Sequence, residues 1–135
     1  MKYLLDTNVV SEFRLSSPNP GVVAWWAGVD QDSLYLSVIT LGEIRKGIER
    51  KRARDPELAS ALDVFLDGLT HAFARRIEMV DVEIADIWGR LRAAPGTPPI
   101  DGLLAATALA RGWTFVTRNV RDVEQTGCLV LNPFT

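Results

Sequence analysis

Four acidic residues, Asp6, Glu43, Asp101 and Asp122, each stand where a short apolar run ends or where the helix after it begins. In a parallel α/β sheet those places share one edge, at the carboxyl ends of the strands, where such folds bind ligands. Carboxylates gathered there repel one another, so the set calls for a positive charge between them. A hard divalent cation with oxygen ligands, Mg²⁺ or Mn²⁺, meets that need and leaves positions open for water or a phosphate oxygen. Taken singly, each acid has a plainer role. Asp6 and Asp101 can cap helices, Glu43 can be a solvated helical side chain, and Asp122 can be a turn residue. The repeated position relative to the strands is what joins them.

Other chemistries lack their residues. The single histidine, His71, and single cysteine, Cys128, provide neither a zinc cluster with nitrogen and sulfur ligands nor a Ser-His-Asp or Cys-His scheme. No Gly-rich phosphate loop follows a strand. An Asp-based phosphohydrolase would need a lysine near its phosphate, and lysine occurs only at positions 2, 46 and 51. A domain that only binds RNA or protein is a further alternative, although it has no need of four mutually repelling acids.

The acids need elements to position them. The spacing predicts strands at Tyr3–Leu5, Leu34–Ser37, Glu78–Val80, Thr114–Thr117 and Leu129–Leu131. Helical stripes lie between them: Val22, Val23, Trp25, Trp26 and Val29; Leu41, Ile44 and Ile48; Leu58, Leu62, Phe65, Leu66 and Leu69 after Pro56; and Ile84, Ile87, Trp88 and Leu91. A last helix from Leu103 to Ala110 closes at Gly112, and the Thr97-Pro98-Pro99 loop delivers Asp101 to its start. His71 reads as mid-helix. Two consecutive helices between Val38 and Arg76 interrupt an otherwise regular β-α-β alternation. The fold class is therefore α/β, with a mostly parallel sheet of about five strands and helices on both faces.

The 135 residues fit a single domain, 1–135, and 47% hydrophobic with 24% charged residues is the composition of a soluble globular chain. A net charge of −2 excludes gross attraction to nucleic acid but not a local basic patch. One such patch is Arg45, Lys46, Arg50, Lys51, Arg52 and Arg54, and Arg118 and Arg121 flank the fourth acid. These are candidate RNA-binding residues, with a solvated helix end as the plainer reading of the run. Trp25 and Trp26 are candidates for base stacking or partner contacts beside a core role. The lone cysteine and the start MKYLLDTNVV, whose apolar run Asp6 interrupts, lead us to expect a cytoplasmic chain with no signal peptide or membrane anchor.

Four segments together resemble the motifs of PIN-domain ribonucleases, in order and over nearly the whole chain. They are Leu4-Leu5-Asp6-Thr7-Asn8-Val9-Val10-Ser11-Glu12, Ser37-Val38-Ile39-Thr40-Leu41-Gly42-Glu43-Ile44, Asp101-Gly102-Leu103-Leu104-Ala105-Ala106-Thr107-Ala108 and Val116-Thr117-Arg118-Asn119-Val120-Arg121-Asp122. The ending Val130-Leu131-Asn132-Pro133-Phe134 resembles the branch of VapC-type and FitB-type toxins of type II toxin–antitoxin modules. The resemblance implies a PIN-like three-layer α/β/α sandwich and a Mg²⁺- or Mn²⁺-dependent endoribonuclease (a hydrolase) with one or two ions. It implies Asp6, Glu43, Asp101 and Asp122 as catalytic metal ligands, Thr117 as an orienting hydroxyl, and Asn8 and Asn119 in support. Many relatives carry an Asp at the position of Asn119, whereas the FitB-like branch has Thr-Arg-Asn with an acid three residues on. The fourth place thus falls to Asp122 or Asn119. Hydrolysis by this route leaves a 5′-phosphate and a 3′-hydroxyl. The implied partners are an RNA substrate, a cognate antitoxin that covers the groove, a second copy in a homodimer or a higher toxin–antitoxin assembly, and operator DNA only through the antitoxin.

Overall fold

The computed structural model describes residues 1–135. The chain opens with strand β1 (Tyr3–Leu5), which Asp6 ends by capping the short helix α1 (Thr7–Val10). A 3-10 turn leads to α2 (Pro20–Gly28), whose first turn is set by Pro20 and by Asn19 accepting from two backbone N–H groups. Strand β2 (Leu34–Ser37) runs straight into α3 (Val38–Arg52), because the Ser37 hydroxyl accepts from the Ile39 N–H at 3.0 Å. Helix α4 (Pro56–Ala72) follows with Asp55 as its cap and no strand between. Then come β3 (Ile77–Glu78), α5 (Val82–Arg92), α6 (Pro99–Arg111), β4 (Thr114–Val116), α7 (Val120–Val123) and β5 (Leu129–Leu131). Gly112 closes α6 at φ +69°, a left-handed turn that glycine adopts without steric cost.

The five strands form one parallel sheet in the order β3-β2-β1-β4-β5. Strand alternation divides the core into two layers. Leu5, Leu34, Leu36 and Val116 face α1 to α4, where Val9, Val22, Ile48, Leu62 and Leu66 complete one cluster. Leu4 and Phe115 face the other way onto Leu104, Ala105 and Ala108 of α6 and Val123 of α7. Small alanines let α6 lie close to the sheet, and α5 packs against α6. The result is the expected α/β/α sandwich.

Three local readings need correction. The third strand is Ile77–Glu78, not Glu78–Val80. Its partner β2 ends at Ser37, opposite Glu78, so Met79 and Val80 have nothing to pair with and are exposed. Strand β4 stops at Val116, one residue early, although the Thr117 N–H still donates to the Leu131 carbonyl at 3.0 Å. His71 lies in the last turn of α4 rather than its middle.

The chain's last residues fold back across the start of α2. Asn19 exchanges hydrogen bonds with the backbone of Thr135, and Gly21 lies so close beneath that a Cβ there would be 2.3 Å from the Pro133 carbonyl oxygen. Only glycine admits the tail at that point.

Candidate functional site

The carboxyl ends of β1, β2 and β4 and the start of α6 surround a cavity of about 410 Å³ lined by Asp6, Thr7, Asn8, Glu43, Pro98, Pro99, Ile100, Asp101 and Asn119. Three of the four expected acids share it, and no basic side chain lines it. Each arrives by a different local device.

Asp6 is buried, at 4% exposure, at the end of the central strand. Its N–H continues the sheet by donating to the Val116 carbonyl at 2.9 Å. One carboxylate oxygen accepts from the Thr7 N–H at 2.7 Å, as a helix cap does. The other accepts from the Thr117 hydroxyl at 2.7 Å and from the Asn8 amide at 3.3 Å. Thr117, fully buried, also accepts from the Asn119 N–H at 3.0 Å. The Asn8 side-chain oxygen accepts from the Arg118 N–H at 3.3 Å. The first and fourth motifs are thus tied into one network across adjacent strands. The cap role and the site role of Asp6 coexist.

Asp101 occupies the first turn of α6, where the helix N-terminus favours a negative charge. The indole N–H of Trp88 holds the start of the helix by donating to the carbonyl of its first residue, Pro99, at 3.0 Å. No hydrogen bond relieves the carboxylate itself. Burial, then the nearby charges of Asp6, Asp122 and Glu43, push its pKa from 3.8 up to about 6. Burial also raises the pKa of Asp6, helped by Glu43 and opposed by the hydrogen bonds from Thr117, Thr7 and Asn8. Glu43 sits one and a half turns into α3, half-buried, with the Lys46 ammonium 3.4 Å from its carboxylate. Sequence reasoning placed Lys46 on a basic rim and missed this pairing, which the i, i+3 spacing allows.

Asp122 lies outside this cavity. It lines a second one of about 470 Å³ with Arg118, Asn119, Val120, Arg121 and Asn132. Asn119 forms part of both walls, so the ambiguous fourth position divides in two: Asn119 faces the acid cavity, and Asp122 acts on Asp101 from beside it.

The basic run along α3 is placed differently. Arg45 and Arg52 bind Glu49 and Asp63 in a four-residue network between α3 and α4. Arg50, Lys51 and Arg52 lie in the last turn, roughly 10 Å along the axis from Glu43, because a helix rises about 1.5 Å per residue. The helix starts at the acid edge and runs away from it. Trp25 and Trp26 are half-buried and packed on Tyr3, Phe13 and Phe73.

The donors around the acid cavity are carboxylate, amide and hydroxyl oxygens, the chemistry that a hard divalent cation prefers. In this arrangement no three of the acids close into a ready-made metal cage. The residue types, the shared cavity and the unrelieved repulsion fit such an ion all the same.

The chain is similar to known proteins along almost its entire length. It is 32% identical to the VapC ribonuclease Y4jK of Sinorhizobium fredii, with 97% of this chain and 96% of that protein covered. It is likewise 32% identical to the toxin FitB of Neisseria gonorrhoeae, with 97% of each covered. A solved structure of FitAB bound to an IR36 DNA fragment superposes with a TM-score of 0.85 at 30% identity, covering 98% of this chain and 96% of that one. The family model described as the PIN domain matches residues 3–126, and with the sandwich and sheet edge described above, the chain belongs to the PIN domain family.

Proposed function

We propose that this protein is a divalent-metal-dependent endoribonuclease and the toxin of a toxin–antitoxin pair. The observation that carries the catalytic half is the meeting of Asp6, Glu43 and Asp101 in one cavity lined by no cation. Family membership and the relatives named ribonuclease and toxin support the same reading. Asp6 and Asp101 are the principal candidates to hold Mg²⁺ or Mn²⁺, with Glu43 and Asp122 completing the set directly or through water. An ion bound there would polarise the scissile phosphodiester and help ionise water for in-line attack.

The chain's own groups have separable tasks. Thr117 and Asn8 fix the orientation of the Asp6 carboxylate, so it is aimed before any substrate arrives. Asn119, its backbone held by the Thr117 hydroxyl, is placed to position a substrate or water oxygen with its amide. The rigid Pro98-Pro99 wall, pinned by Trp88, limits how far Asp101 can retreat from its neighbours. With no arginine or lysine in the cavity wall and Lys46 paired only with Glu43, the charges of Asp6 and Asp101 would be left for an ion to compensate.

The complex named FitAB and its DNA-bound structure support a cognate antitoxin as partner and contact with operator DNA through it. Homodimerisation, higher assembly and a cytoplasmic location complete the proposal. No helix is long and apolar enough to cross a membrane.

The test is cleavage of a panel of structured RNAs by antitoxin-free protein in Mg²⁺, Mn²⁺ or EDTA. Metal-dependent cleavage that Asp6→Asn and Asp101→Asn abolish supports the reading. RNA that survives equally in all conditions, or variants that cut like the parent, would leave a domain that binds without catalysis.

A further inference from the structure

The second cavity shares the Asn119 wall with the acid cavity but has the opposite electrostatic character. Two exposed arginines, Arg118 and Arg121, line it together with one acid, Asp122, and with Asn119, Val120 and Asn132. The lining is therefore net positive within one residue of a cluster that is wholly negative. Neither arginine takes part in any ion pair of the molecule. Arginines with an acid in reach normally use it, as Arg45, Arg52 and Arg111 do here. Two unpaired arginines in a cavity that also offers amide donors form a receptor for a phosphate group.

Arg118 is also held in place. Its guanidinium lies 4.8 Å over the ring of Phe134, its backbone N–H is fixed by Asn8, and Phe134 belongs to the tail that Asn19 and Gly21 anchor on α2. A cation stacked on a ring keeps its in-plane N–H donors free for an anion. The tail therefore supports a side chain at the site.

We infer that the Arg118–Arg121 cavity receives the backbone phosphate adjoining the scissile one, so that a single RNA strand runs past Asn119 from one cavity to the other. The inference rests on the nuclease reading for the identity of the strand. Arg118 and Arg121 are its phosphate ligands, and Phe134 is a positioning residue that acts through Arg118. The subsite holds RNA in register with the acids without touching the reacting atoms, and its loss weakens binding more than turnover.

The experiment measures binding of a short labelled single-stranded oligoribonucleotide by anisotropy, in EDTA so that nothing is cut, over a salt series. A single strand loses affinity with salt at a logarithmic slope of about −0.7 per phosphate neutralised, so Arg118→Ala/Arg121→Ala, which empties the one phosphate site, reduces the slope by about 0.7. Arg50→Ala/Lys51→Ala, at the far end of α3, changes it by less. Phe134→Leu raises KM more than it lowers kcat, and Phe134→Tyr, which keeps the ring, restores KM. Circular dichroism checks that the variants fold, and Arg118→Gln/Arg121→Gln provides a second charge-free pair. An unchanged slope in both pairs, or an equal loss from the α3 pair, overturns the assignment. Asp101→Asn, assayed for cleavage in a parallel reaction with Mg²⁺ or Mn²⁺, separates the two ideas. Continued cleavage by that variant sinks the nuclease site, whereas the slope reports on the arginine cavity alone.

Discussion

The α3–α4 face and the carboxyl edge of the sheet use the same kinds of charged residue to opposite effect. On the helical face Glu49 and Asp63 are matched to Arg45 and Arg52, and those arginines hold both carboxyl pKa values below their ordinary range. At the sheet edge burial, and after it the neighbouring acids, push Asp6 and Asp101 up, Asp101 to about 6. Helical spacing of three and four residues brings opposite charges together on a solvated surface. Strand ends and helix starts bring like charges together in a partly dry hollow. The first arrangement is explained by folding alone. The second costs stability, and groups perturbed in that way concentrate where chemistry is done.

The sharpest way to break that contrast is to remove an acid from the sheet edge. Asp101→Asn should lower metal-dependent RNA cleavage by about 10²-fold or more, the usual scale for losing a group that stabilises developing charge. Its melting midpoint in EDTA should stay level or rise, since a repelling charge has gone. Initial rates and thermal melts read both, and a variant that loses stability together with activity would make Asp101 a structural acid after all. Thr117→Val comes next. It takes a hydrogen bond from the buried Asp6 and an acceptor from the Asn119 N–H, at a cost of about 1–3 kcal/mol in urea unfolding. Activity should fall less than for Asp101→Asn, because the carboxylates remain. An unaltered urea midpoint would show that the network does not hold Asp6.

Acidity separates the two regions in a third way. Asp101 binds its proton more tightly folded than unfolded, so its penalty is absent below about 3.8 and grows until pH passes about 6. Over that window in EDTA, unfolding free energy contributed by this group falls as pH rises, and Asp101→Asn should flatten the fall. Glu49 and Asp63 behave in reverse. Their contribution is present above ordinary values of 4.5 and 3.8 and is lost as pH drops through the lowered folded ones. Arg52→Ala should therefore soften only the acid limb. Its effect is the smallest of the set, because the pairs are exposed and screened. Chemical denaturation at a series of pH values checks both, and a flattening that appeared in the other variant's window would collapse the distinction.

Much of this was legible in the chain before folding was considered. Leu4 and Leu5 point to opposite layers, as alternation requires, and Pro56, Gly112 and the caps fix helix boundaries from local chemistry alone. The third strand was misplaced because its two-residue length is set by where β2 stops, a fact held forty residues earlier. At the site, the convergence of Asp6, Glu43 and Asp101 followed from their common relation to strand ends. Long-range and side-chain geometry stayed hidden. Nothing near Lys46 says that it will choose Glu43 over solvent, and Arg45 and Arg52 look free until α4 brings Asp63 alongside. The division of labour between Asn119 and Asp122 depends on which wall each joins, and the grip of Asn19 on Thr135 spans 116 positions.

The hydrogen bond between Thr117 and Asp6 joins residues 111 apart, and β1 has β4 as one of its two neighbours. A ribosome adding about 5–20 residues per second therefore exposes Asp6 seconds before its partner exists. Until residues 114–117 emerge, the central strand lacks one side and its acid lacks the hydroxyl that aims it. The order of synthesis thus delays the Thr117–Asp6 contact until residues 114–117 have been made. Each nascent chain lacks the bond that aims Asp6 until its own fourth strand has been made.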